Sequence, residues 1–323
     1  MSERLNEKDS MALYFVRMIA ILTSVAAHVR IIDYSTALNE FFSRAWDMSS
    51  CLSVPCFLII GGILYSRREA DGRNFWRKKA RSVILPWLFC GLLTYGYRAI
   101  YEGGSLVGLI CWLVGHGSWL YYVTVYLILM FIFKPIRNNV PVLWACVTVT
   151  AIQLVLKTMD SGVPSPLDND YLNLLHWIGF FALGILLRRR GLRLNKVFLA
   201  GCFVVFPVSA VWVYCKYIYS YFHIINAVYT VSGFFVLLTI GRQITGAKLC
   251  RGIRAIGTST YCIYLLHMLI VPPILRRIPG TSFKTVFGPV IGVIVLMLLI
   301  DIGKRITAKL PFGDKLRMLV GVR

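Results

Sequence analysis

The sequence predicts an all-α polytopic membrane protein of about ten transmembrane helices, with both termini cytoplasmic. Three observations predict it. Hydrophobic residues make up 58% of the 323 and charged residues only 15%, against about 45–50% and about 25% in a soluble domain. The apolar residues gather in runs near the roughly 20 residues that cross a bilayer. The 35 lysines and arginines concentrate in the short segments between those runs, where such residues set topology.

The first run, 12–29, has no small-residue cleavage site after His28 and is followed by further runs, so it is expected to stay as an uncleaved first helix. The other expected spans are 48–66, 82–101, 119–136, 141–157, 171–188, 197–218, 222–241, 255–275 and 285–303. The stretch "SLVGLICWLVG" (105–115) is too short to cross and is expected to be re-entrant or interfacial. "KTMDSGVPSPLDND" (157–170) has the Gly, Pro and Asp content of an exposed turn. With the N-terminus inside, the inward segments hold 26 basic residues and the outward loops 8, the bias expected of cytoplasmic loops. Arg276, Arg277 and Lys284 fall outside and run against that bias. The whole chain, 1–323, is expected to form one integral-membrane domain with no appended soluble domain.

A net charge of +21 in a soluble chain would suggest nucleic acid. Here the cations sit between apolar runs, so the expected partner is membrane lipid and not nucleic acid. The nine cysteines form no CxxC pair and lie mostly in apolar runs. They are expected to be small packing residues, and no metal site is expected.

Two residues in the first run carry the chemical interest. Arg17 and His28 are eleven positions apart, which places them on one helix face, about 20° out of register and roughly 16 Å apart. A charged side chain within a span costs about 2.5–3.5 kcal/mol on insertion scales and usually faces the bundle interior. Arg17 could instead snorkel to headgroups, and His28 could be an interfacial histidine. Histidine is also the side chain best suited to take a proton from a hydroxyl near neutral pH.

The stretch "VRMIAILTSVAAHV" resembles the first helix of the acyltransferase family 3 membrane proteins, in which a basic residue is followed, ten intervening residues later, by a histidine. "SVPCFLIIGGILYSRR" (53–68) is similar to that family's Pro-x-Phe helix, with Gly61 where serine is usual. In "NFWRKKARSVILPW" (74–87), Lys78 and Arg81 match a basic Arg-x-x-Arg segment, with lysine for the first arginine. "HGSWLYYVTVYLILMFIFKPI" (116–136) and "HWIGFFALGILLRRR" (176–190) resemble further family spans. "GTSTYCIYLLHMLIVPP" (257–273) is similar to the Ser-x-aromatic-Gly-Ile-Tyr-Leu-x-His segment, with Cys262 for the glycine. These six fragments keep the family order over most of the chain.

The resemblance implies an enzyme of a bacterial cytoplasmic (inner) membrane that moves an acyl group, commonly acetyl, from acetyl-CoA or another acyl-CoA to a hydroxyl of a surface or lipid-linked glycan. Glycan-synthesis machinery would then be a possible partner. His28 becomes the candidate general base. Arg17 becomes the candidate cation for the donor's phosphate or polar arm, too distant to pair with His28. A cytoplasmic, phosphate-bearing donor needs cations on that side. The loop 67–81 offers Arg67, Arg68, Arg73, Arg77, Lys78, Lys79 and Arg81, with Lys78 and Arg81 foremost; the plainer role of the loop is topology or anionic lipid. His267, His116 and Trp119 are candidates to line the acceptor path. Trp119, Tyr121 and Tyr122 also fit an aromatic belt at the outer interface, and His176 and His223 fit interfacial positions. Two other classes stay open on the residues alone: a polysaccharide or lipid transporter, and a non-catalytic partner of a glycan synthase. Against transport, only Arg17 is a charge clearly inside a span, and no matched pair of Gly/Pro-broken segments stands out.

Overall fold

Helix α1 (Glu7–Val29) is the hub of the bundle, buried along most of its length. The computed structural model describes residues 5–29, 32–65, 73–161 and 164–322. Arg67 and Arg68 lie outside those residues. After α1 come α2 (Ala37–Ser50) and α3 (Ser53–Tyr65), then α4 (Arg73–Lys79), a π-helical turn (Ala80–Ile84) and α5 (Leu85–Glu102). The chain continues through α6 (Leu106–Val114), α7 (Tyr121–Ile136), α8 (Val140–Thr158) and α9 (Ile178–Arg189). It closes with α10 (Lys196–Lys216), α11 (Ile224–Gln243), α12 (Ala247–Arg277), α13 (Thr281–Thr307) and α14 (Gly313–Leu319). Every regular element among the described residues is a helix.

Eight helical stretches among the described residues are long and apolar enough to cross a membrane, and they carry eight of the ten expected spans. The chain is an integral membrane protein. The runs at 119–136 and 171–188 fall on shorter helices, the 16-residue α7 and the 12-residue α9. The second starts late because Asn169 and Asn173 cap short 3₁₀ turns ahead of it. His176, expected at an interface, is instead 1% exposed in these turns. Its Nδ1 meets the Asp170 carbonyl at 3.0 Å, so the turn uses the ring as a buried strut. The 105–115 stretch forms α6, nine residues long and about 13 Å end to end. Ser105 caps it, and Gly115, at φ 104°, ends it.

Close backbone contacts hold α1 and α3 in place. A Cβ on Gly62 would lie 2.1 Å from the Phe181 carbonyl oxygen, and one on Gly184 2.0 Å from that of Ile59. Helices α3 and α9 therefore touch backbone to backbone, the mode of packing that small residues permit in membranes. A Cβ on Gly241 would similarly lie 2.7 Å from Ala12 Cα, and one on Gly257 3.0 Å from the Tyr14 carbonyl, which seats α1 against α11 and α12. Ion pairs close the same end of the bundle. Arg242 Nε donates to buried Asp9 at 2.7 Å, and its Nη2 to the Leu192 carbonyl at 2.7 Å. The periphery is the reverse: Val204 and Val208 of α10 and Leu298 of α13 are exposed, as a lipid-facing surface requires.

The C-terminal residues fold back. Helix α14 packs on α5 and α13, and a Cβ on Gly321 would sit 3.0 Å from the Tyr261 ring and 3.6 Å from Pro86.

Candidate active site

Arg17 and His28 both face α12. Arg17 lines a cavity of about 220 Å³ against Tyr261 and Tyr264, and the His28 ring lies 5.3 Å from that of His267. The expected shared face is therefore present, with roughly 16 Å of helix between the two, beyond the reach of either side chain. Helix α1 can hold them so because Gly257 and Gly241 clamp its first half, leaving its second half against α12 and α13.

The cavity holds a second cation. Lys79 lines it beside Ser82, Tyr126 and Thr260, and no acidic residue lines it among those described. Lys79 Nζ donates to the Tyr126 hydroxyl at 3.2 Å and lies 5.5 Å from the Phe75 ring centroid. Arg77, Lys78 and Arg81 are exposed and do not line the cavity. Arg77, Lys78 and Lys79 share α4, where each step of about 100° changes the face, and Arg81 lies in the π turn that follows. Pro86 has no N–H and would clash with a carbonyl four residues earlier; the chain widens to a π turn just ahead of it, closed by Leu85 N–H to the Ala80 carbonyl. Such turns occur often at functional sites. The Val83 carbonyl within this turn accepts from the Tyr261 hydroxyl at 2.7 Å. Tyr261→Phe is expected to remove that hydrogen bond and to lower stability in detergent by about 1 kcal/mol, read as a drop in thermal midpoint without loss of the helical signal.

Aromatic rings connect the cavity to His28. Tyr126 meets Tyr122 at 6.0 Å between ring centroids, and Tyr122 meets Tyr264 at 5.5 Å. Tyr264 meets His267 at 6.0 Å, and His267 meets His28. Tyr264 donates its hydroxyl to the Trp119 carbonyl, and Trp119 packs edge-on to His267 at 5.9 Å. His28 is exposed, whereas His267 is 0% exposed and stands behind it.

Trp119 and Tyr121 correct the aromatic-belt expectation. Both are 8% exposed, and Tyr121 packs on Tyr171 and Trp177 inside the bundle. The reason is local: Gly115 presses so close that a Cβ there would lie 2.2 Å from Tyr121 Cα, drawing the start of α7 inward. His116, on the exposed side of that turn, makes no ring contact to the histidine pair. Sequence reasoning missed Tyr126, Tyr261 and Tyr264, whose only signal was a hydroxyl-bearing ring on an otherwise apolar helix. Gly61, at the position where serine is usual, has the Tyr126 ring against it, 2.8 Å from where a Cβ would stand.

A family model described as an acyltransferase domain matches residues 12–302, from the start of the first membrane run to the end of the last. The chain belongs to acyltransferase family 3. As a family 3 acyltransferase it is an enzyme, and the matched region contains the seam on α1, the π turn and the whole aromatic track. Comparison of this family 3 chain with curated proteins and with solved structures finds no match.

Proposed function

We propose that this family 3 acyltransferase transfers an acyl group, acetyl first among the candidates, from acyl-coenzyme A to a hydroxyl of a surface or lipid-linked glycan. The observation that carries the reading is the track from a cavity with two cations to an exposed histidine. Arg17 and Lys79 supply positive charge for the donor's polar arm. A cavity of about 220 Å³ is smaller than the roughly 300–1,000 Å³ of sites that enclose a drug-sized ligand. Only part of a nucleotide-tailed thioester would enter it, leaving the phosphates to exposed Arg77, Lys78 and Arg81. Both termini are taken as cytoplasmic, because coenzyme A is made there and the basic segments lie at that end. His28 would take the proton from the attacking hydroxyl, a poor nucleophile without a base, and the acceptor would approach past His116 to exposed His28, with Trp119 and His267 behind that ring.

The test is consumption of acetyl-coenzyme A by membranes of the expressing host, followed by mass spectrometry of the surface glycans. A gain of an acetyl mass that requires His28 supports the reading; membranes that ignore the thioester overturn it. Lys79→Ala is expected to raise the Michaelis constant for the donor by about tenfold, the effect of losing roughly 1.4 kcal/mol of charge-assisted contact. The double variant Lys78→Ala with Arg81→Ala should act on the same constant and leave that of the acceptor unchanged. A defect confined to the acceptor would place the donor elsewhere.

A further inference from the structure

We infer that His267 is a positioning residue that fixes the tautomer and orientation of His28. This rests on the acyl-transfer reading and adds to it a role for the buried ring behind the base.

His267 Nδ1 lies 2.7 Å from the Tyr264 carbonyl oxygen. A carbonyl oxygen only accepts, so Nδ1 carries the proton and Nε2 of the neutral ring presents a lone pair. That Nε2 is buried and has no hydrogen-bond partner among the described residues. An unmet buried acceptor costs about 1–3 kcal/mol, so its presence calls for a donor that arrives in the working state. Three rings surround it. Tyr264 has its hydroxyl engaged with the Trp119 carbonyl, and Trp119 meets the ring edge-on with its own Nε1 unbonded. His28 is the third, at 5.3 Å between centroids. Two imidazoles joined by one N–H···N bond of about 3 Å have centroids a little over 5 Å apart, so a turn of the His28 ring completes the contact.

The consequence for the chemistry follows from the two faces of a histidine. The hydrogen bond made by one ring nitrogen decides what the other carries. With its inner N–H given to His267 Nε2, His28 turns a lone pair outward to the exposed side, where a hydroxyl can reach it. The hydroxyl oxygen forms its bond to the thioester carbonyl carbon, and the carbon–sulfur bond breaks. The hydroxyl proton passes to the outer nitrogen of His28 and from there to the coenzyme A thiolate. His267 keeps its own proton throughout and accepts more strongly while His28 is an imidazolium.

The test uses the full chain in host membranes, with thiol release from acetyl-coenzyme A as readout. His267→Phe keeps the ring and removes the acceptor; kcat should fall about 10²-fold, the scale of a misplaced catalytic group, with the donor KM unchanged. His267→Gln offers a carboxamide oxygen near the position of Nε2 and should restore kcat to within about tenfold of the unaltered protein. If His267→Phe does not accumulate, His267→Asn, which reproduces the Nδ1 donor but falls short of Nε2, takes its place. Full kcat in His267→Phe or His267→Asn overturns the inference. So does a His267→Gln variant as inactive as His267→Phe, because a carboxamide cannot carry the proton and His267 would then be the base itself. His28→Ala separates the two levels: if it too keeps full turnover, the acyl-transfer reading falls, whereas loss in His28→Ala with full turnover in His267→Phe removes only the positioning role.

Discussion

His28→Ala is expected to lose acyl transfer by about 10²–10⁴-fold, the usual contribution of a positioned general base, while the protein inserts and accumulates as before. The separation of effects follows from where the ring stands. His28 is exposed, in the last turn of α1, so its truncation removes little packing; the residues that seat the helix, Ala12 and Tyr14 against Gly241 and Gly257, lie three or more turns away. Arg17 and Lys79 keep their cavity, so donor binding should persist and the loss should fall on turnover. Mass spectrometry of surface glycans, beside a blot for the protein, measures both quantities. Unchanged acylation in this variant would reject the base assignment.

The largest structural effect is expected at the contact of α3 with α9. Gly184→Ala would drive a methyl to 2.0 Å from the Ile59 carbonyl oxygen, and Gly62→Ala to 2.1 Å from that of Phe181. Neither neighbour is the flexible end of a side chain. The helices must separate, and that separation strips contacts from Phe181, Ile59 and Ile63, all fully buried. Overpacking a well-filled core costs about 1–3 kcal/mol and occasionally more; with backbone on both sides, at least the upper end of that range is expected. The measurement is the yield of folded protein in mild detergent with its thermal midpoint. Either alanine variant should fall well below the unaltered chain, whereas Gly201→Ala, where a Cβ meets nothing within 4 Å, should not. Equal yields for all three would mean the two helices do not touch in this way.

The long helices were legible because a bilayer imposes one length on apolar runs, and nothing else in the chain imitates it. The Arg17–His28 seam was legible for a similar reason: eleven residues return a helix to nearly the same face, and ionised groups are rare enough in spans to attract attention. The choice among neighbouring cations was not. Lys78 and Lys79 stand on the same short helix, one step of about 100° apart, and only the packing of that helix decides that Lys79 meets Tyr126. The belt reading of Trp119 and Tyr121 failed because an aromatic ring facing lipid and one facing a protein interior look alike in composition. The left-handed Gly115 beside them was the better guide. The tyrosine track was hidden for the same reason, since its members come from two helices well over 100 residues apart and only the packing of α7 on α12 joins them.

Gly321 lines the same cavity as Arg17 and Lys79, with Val320 and Val322 beside it facing the lipid-side groove between α12 and α13. A substitution in this segment would therefore reshape the chamber around Arg17 and Lys79 from a point far away in sequence.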